Sequence, residues 1–221
     1  GTCMDCTHIP EISCFYSDTI ASHILNPSAH FEYEMILVTD GSAQVQIHDR
    51  TYPLQRGSLL FISRLEQHQF CIVKEPYCRY VLSVSSDLLL SHLNEPRLAS
   101  IFMQRPEYFS HVVQLNEEQL AYFLPFFQKS ADEYEKQSDF YTLQSIALLL
   151  SVLISLYRLY PNAFPMEDSS SLSAAVLNAQ IYVSRHFNRK LTLQEIADQC
   201  FLNRHTLSLA FKEIVGITFK E

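Results

Sequence analysis

Arg204, His205, Ser208 and Lys212 are the chemistry-bearing side chains with the clearest spacing, the last three standing one, four and eight residues after the first. On a helix they would fall along one side. There Arg204 could donate to a guanine edge, and His205 and Ser208 could donate or accept at several bases. Lys212, further along, suits a phosphate. The same residues would also make an ordinary solvated face of a packed helix pair. A second group lies in the first half of the chain. Ser28, His30, Glu32 and Glu34 alternate in position, so an extended strand would put them on one face. His68 can join them, and so can Arg79 if its strand faces inward. Convergent groups of this kind can hydrogen-bond a small polar ligand. His30, Glu34 and His68 could instead hold a metal ion with water completing the shell, or all of them could be structural or surface groups. Cys3, Cys6 and His8 form a C-x-x-C-x-H cluster without a fourth ligand nearby, so no zinc site is expected there. No catalytic residue, resident metal or cofactor is predicted.

The elements that must position the first group are legible locally. Thr192 and Glu195 have the spacing of a capping box, which starts a helix near Leu193. Its apolar face is Leu193, Ile196, Ala197 and Cys200, with Ala197 small enough for a close helix crossing. Phe201 and Leu202 leave that helix, and Asn203 can cap a second one whose apolar positions are Leu207, Ala210, Phe211 and Ile214. Gly216 can supply the left-handed residue that ends it.

The first half of the chain is strand-like. Residues 32–38 and 43–49 flank Asp40-Gly41, a dipeptide that favours a hairpin turn. Further strands are predicted at Ser58 to Ser63, Gln69 to Val73 and Arg79 to Val84, a spacing that suggests a sandwich or barrel. Helical periodicity begins near Ser86, and two long helices are predicted over Glu117 to Gln137 and Phe140 to Tyr160. Residues 161–171, PNAFPMEDSSS, lack an apolar period and read as a linker. The predicted fold class is α+β, with a barrel over residues 1–115, long helices over 116–160, the linker, and a helical domain over 172–221. The long helices offer Leu120, Phe123, Leu124 and Phe127, then Leu143, Ile146, Ala147, Leu150, Leu153, Ile154 and Tyr157. This is more apolar face than a small barrel obviously needs, so part of it is a candidate homodimer interface.

Charge divides the same way. The chain carries a formal −8, but residues 172–221 hold six Lys or Arg against four Asp or Glu, and residues 1–171 hold ten against twenty. Only the C-terminal part is electrostatically suited to a polyanion, and only modestly. The apolar run Ile146 to Tyr157 is twelve residues long and interrupted by serines, too short to span a bilayer. The N-terminus shows no basic segment followed by an apolar one, and the six cysteines have no framework spacing, so a cytoplasmic protein with reduced thiols is expected and no membrane partner.

The segment Ala175 to Phe219, with LTLQEIA, the cap before the second helix and the run LxxxFKExxG, resembles the first helix-turn-helix of AraC/XylS-type bacterial regulators. Thr206 stands where that family often has Tyr, and Leu209 where a basic residue is frequent. Family members carry a second helix-turn-helix after a connecting helix, and the sequence in hand covers the first. The strand-rich half resembles the cupin-type sensor domain of the same regulators, through His30, Glu34 and Gly41, then RTYPLQRGSLLFIS with Gly57, then His68. Ser28 occupies a position where cupin enzymes place a metal-binding His.

The resemblance implies a ligand-responsive, sequence-specific transcription regulator. Double-stranded DNA would be read by Arg204, His205, Ser208 and Lys212. A small polar effector, a sugar among the candidates, would be bound by His30, Glu32, Glu34, His68 and Arg79. A homodimer and contact with RNA polymerase are further implications. Two other readings are open at this point: a metal-dependent cupin enzyme, isomerase or dioxygenase, which leaves the C-terminal helices unexplained, and a DNA-binding dimer that needs no effector.

Overall fold

Two long strands carry the N-terminal half, β2 over Tyr33–Ile47 and β5 over His68–Val84. They pair antiparallel from Tyr33 opposite Val84 to Ile47 opposite His68, with register shifts between Val38 and Ala43. Asp40-Gly41 therefore does not close the predicted hairpin, but bends one continuous strand. Gly41 has φ +72°, and a Cβ built on it would lie 2.0 Å from the Pro76 carbonyl oxygen. Glycine's left-handed freedom is spent here on a bulge and a close strand approach. The hairpin itself falls at His48-Asp49, joining β2 to β3 (Arg50–Gln55). The separate strands expected at 69–73 and 79–84 are likewise one element, β5. The computed structural model describes residues 10–19, 27–165, 171–216 and 218; Cys3, Cys6 and His8 lie outside them.

With β1 (Ile12–Ser17), β4 (Ser58–Ile62) and β6 (Val112–Gln114), the strands form a six-stranded sheet in the order β1-β5-β2-β4-β6, with β3 on the far half of β2. The bend folds this sheet over itself and creates two cores. Inside the fold lie Ile36, Val38, Val45, Ile47, Leu60, Ile62, Phe70 and Tyr77. On the outer face, Met35, Leu37, Leu59, Phe61, Leu82 and Val84 meet the helices. Burial on both faces explains why every residue of β4, SLLFI, is buried.

Helix α1 (Ser86–His92) is capped by Ser85, α2 (Pro96–Met103) by Glu95, and α3 (Glu117–Lys136) by a full capping box of Asn116 and Gln119. Helix α3 packs on α4 (Tyr141–Leu159) and on β1. The apolar run within α4 is thus part of a nineteen-residue helix with mean hydropathy 1.6 over its best window, long and apolar enough to cross a bilayer. Its buried side, which includes Ile146, Leu149, Val152, Leu153 and Leu156, lies within the helix-and-sheet core. After a short 3-10 turn at Pro161–Ala163 come α5 (Ser171–Arg185), α6 (Leu193–Gln199) and α7 (Arg204–Val215). Thr192 caps α6 by accepting from Glu195 N, Asn203 caps α7 by accepting from Thr206 N, and Gly216, at φ +84°, ends α7. Ala179, Ala197 and Leu207, all fully buried, let the three helices approach closely.

Candidate functional site

Helix α7 presents Arg204, His205 and Lys212 to solvent and Ser208 half-exposed, while Leu207, Ala210, Phe211 and Val215 face inward. The four predicted contact residues thus form one outward stripe that begins at the capped helix N-terminus. Leu209 is exposed beside them, and Phe201, in the turn between α6 and α7, is 96% exposed.

The predicted polar group in the sheet comes together in part. Residues 29–32 are not strand, so parity does not place Glu32 with the others; it contributes its carbonyl, which accepts from His30 Nδ1 at 3.3 Å. His30 Nε2 stands 2.8 Å from Glu34 Oε1. Burial would lower the His30 pKa, but Glu34 and the Glu32 carbonyl outweigh it and hold it above the usual value. Ser28 pairs with His68 through both backbone groups, and its hydroxyl lies 3.1 Å from His68 Nε2. Because His68 Nδ1 faces the Glu66 carbonyl at 2.9 Å, it carries the proton, and Nε2 accepts from Ser28. Burial keeps the His68 pKa below normal, so this imidazole is neutral. The two imidazoles meet edge to face at 5.0 Å between ring centroids.

With both His68 nitrogens engaged, this group does not fit a metal ion, and among the described residues no set of three His, Cys, Asp or Glu does. Arg79 sits opposite Val38, but its guanidinium stacks on the Tyr77 ring and donates to the Tyr77 and Thr19 carbonyls. It does not join the histidines in these contacts. The interior of the folded sheet is filled by the chain's own Phe70, Tyr77, Val38 and Val45, so the polar group borders a packed core. The described cysteines are free thiols; burial pushes the Cys14 thiol up to about 12, which leaves it unreactive.

A site not anticipated from sequence lies between the sheet and the C-terminal helices. A cavity of about 460 Å³ is walled by the β2–β3 turn, residues 63–66, residues 105–111, and side chains of α5 and α7. Glu66 stands at its edge with a 5% exposed side chain. It accepts from Ser63 N at 3.0 Å, Arg105 Nε at 3.1 Å and His111 Nε2 at 2.9 Å. Burial alone would raise its pKa; Arg105 and His111 overcome that and hold the carboxyl far below the carboxylate range. His111 Nδ1 is therefore free to accept from Tyr52 at 2.9 Å, and burial keeps this imidazole neutral.

The C-terminal helices are tied to this wall. Arg105 N donates to the Ile214 carbonyl at 2.6 Å, Arg64 Nη1 to Ser184 Oγ at 2.9 Å, and Gln180 Nε2 to the Met103 carbonyl at 2.9 Å. Gly216 lies so close that a Cβ would stand 2.9 Å from the Arg105 carbonyl oxygen. Arg64, Glu66, Arg105 and His111 come from segments up to 47 residues apart and carry no motif, which is why sequence reasoning passed over them.

The AraC-like ligand binding domain family matches residues 10–153. ToxT from Vibrio cholerae strain SCE256, solved with an unsaturated fatty acid bound, is similar over 95% of this chain and 74% of its own, with a TM-score of 0.53 at 13% identity. ToxT from Vibrio cholerae O395 gives a TM-score of 0.53 at 11% identity, covering 95% of this chain and 75% of that one. The AraC-like transcriptional activator CuxR gives a TM-score of 0.39 at 13% identity over 91% of this chain and 67% of its own. No curated protein matches the chain by sequence. At these identities the structural likeness speaks for the fold. Since the family match takes in every strand, helices α1 to α3 and most of α4, the chain belongs to the AraC-type regulators, with an AraC-like, cupin-type ligand-binding domain in its N-terminal half.

Proposed function

We propose that this protein is a ligand-responsive transcription regulator in which α6 and α7 form a helix-turn-helix and α7 enters the DNA major groove. The observation that carries this reading is the outward stripe on α7: Arg204, His205, Ser208 and Lys212 are free of the subunit's own core, while the opposite face is buried on α5 and α6. The modest positive balance of residues 172–221 supports it as well. Among the described residues no three His, Cys, Asp or Glu are placed to hold a metal ion, which favours the regulator over a metal-dependent enzyme.

Effector binding belongs to the family's N-terminal domain. His30, Glu34 and His68, with Ser28, stand together beside the packed interior, and a small polar effector such as a sugar would be received there by exchanging their present hydrogen bonds for its own. Arg79 would be reached only by rearranging its carbonyl contacts. We further propose a homodimer, formed through the outer face of α4, in the cytoplasm.

The DNA reading is tested by selecting a preferred duplex from a randomised pool and measuring anisotropy at one fixed salt concentration, since phosphate contacts make affinity steeply salt-dependent. Arg204→Ala should cost about 1 to 3 kcal/mol on the selected site and relax preference at one position. Lys212→Ala should weaken selected and random duplexes equally. Failure to enrich any sequence, or a uniform loss for Arg204→Ala, would overturn the base contact.

A further inference from the structure

Helix α7 carries one large apolar side chain on its outward side. Leu209 is 57% exposed, whereas Leu207, Phe211 and Val215 are buried and Ile214 is half-buried. At 3.6 residues per turn, Leu209 stands about 40° around the helix from His205 and about 60° from Lys212, and about 7.5 Å along the axis from Arg204. It therefore shares the outward arc of the four polar residues, on the flank away from Arg204. Glu213, exposed one turn later, closes that flank with a negative charge. Single exposed leucines are common on protein surfaces. This one lies, in height along the helix, between His205 and Lys212, within the surface that any duplex seated on α7 must cover.

The chemistry of a leucine narrows what it can meet there. Its side chain neither donates nor accepts, so pressing it on guanine O6 and N7, adenine N6 and N7 or cytosine N4 would strip those atoms of water and return no hydrogen bond. Among the four bases, thymine alone places an apolar group, its C5 methyl, in the major groove. Against that methyl both surfaces are apolar, and covering them releases water from each. The polar residues beside Leu209 read hydrogen-bonding edges, and Leu209 adds a contact of a different kind.

We propose that Leu209 is a specificity-determining residue that selects a thymine by packing on its C5 methyl. The proposal rests on the reading of α7 as the helix in the major groove, and it names one base of the site that α7 prefers. Because the contact carries no charge, it adds nothing to binding on random sequence, in contrast to Lys212. Phe201 is the natural comparison: it is 96% exposed and apolar, but it precedes the capped start of α7 and lies off the outward arc.

Anisotropy on the whole chain with the selected duplex, at fixed salt, tests this when each thymine is replaced in turn by deoxyuridine, which removes only the methyl. At one position of the site the parent should lose about fourfold in affinity, the ratio for burying one methyl-sized group. Leu209→Ala should bind the thymine and deoxyuridine duplexes at that position within about twofold of each other, and should bind random duplex within about twofold of the parent. Phe201→Ala should keep the methyl effect. Thermal melts establish that each variant is folded, which the exposure of both side chains favours. Insensitivity to every thymine methyl, a methyl effect that persists in Leu209→Ala or disappears in Phe201→Ala, or an equal loss on random duplex overturns the proposal. The two levels of failure are distinguishable. If no sequence is enriched, the DNA reading falls and this assignment falls with it, whereas an enriched site that ignores its methyls removes Leu209 alone.

Discussion

Among single residues, Glu66 carries the largest electrostatic commitment, since its carboxylate is nearly dry and holds Arg105, His111 and the Ser63 amide. Glu66→Gln leaves Arg105 buried without its counter-charge and should cost about 3 to 5 kcal/mol in denaturant unfolding. Glu117→Gln, which breaks the exposed pair with Arg56, should change little. The pH dependence has a definite sign. The folded pKa of Glu66 lies below its ordinary 4.5, so the folded state binds fewer protons there, and its contribution is complete above 4.5, begins to fall below it and is lost as pH drops on through the lower folded pKa. His68 and His111, both lowered from 6.5, add loss of the same sign on acidification, and His30, raised from 6.5, works the other way. Calorimetric melts from about pH 7 to about pH 4 should show a falling melting temperature, with a shallower slope at the acid end in Glu66→Gln. A variant as acid-sensitive as the parent would remove Glu66 from this role. None of this was legible in the sequence: a lone Glu in SRLEQH has no partner until the segment between α2 and β6, which carries Arg105 and His111, is brought against it. His30 and Glu34 are grouped by the alternation of positions 28 to 34; residues 29–32 are not strand, yet the two side chains meet at 2.8 Å.

At the level of elements, what was readable depended on how local the cause is. Thr192, Asn203 and Gly216 each act within one helical turn, and the structure uses all three as caps or stop. The Asp40-Gly41 bend has a distant cause. Its turn chemistry is real, but residues 74–78 of β5 arrive alongside and convert the turn into a bulge. Gly41→Ala should therefore be severe, because the added methyl meets the Pro76 and Lys74 carbonyl oxygens at 2.0 and 2.6 Å from a left-handed backbone. The expected loss is at least about 2 kcal/mol, since both strain and a backbone clash contribute. Denaturant unfolding of the full chain measures it, and a loss of a few tenths would mean that the strand crossing can yield. β4 shows the converse case, where an unbroken apolar run was correctly read as strand because both its faces are covered.

For the whole molecule, the undecided surface is the outer side of α4. Its inner residues fill the core, yet Leu143, Ala147 and Ile154 are exposed and Leu150 is half-buried, a stripe at helical spacing along almost the full length of the helix. Scattered apolar residues on a surface are normal, whereas an aligned row of this length is suited to a matching helix from a second copy. In a two-fold pair each subunit contributes one α7, and linking two DNA contacts raises affinity through effective concentration without any new contact. Leu143→Glu combined with Ile154→Glu puts like charges across such an interface while leaving the buried side of α4 untouched. Light scattering should give a dimer mass for the parent and a monomer mass for the variant, with unchanged helical circular dichroism. Affinity for a duplex with two half-sites should fall far more than affinity for a single half-site. If both proteins are monomers at tens of micromolar, or the parent's advantage on paired half-sites persists in the variant, the stripe is ordinary surface.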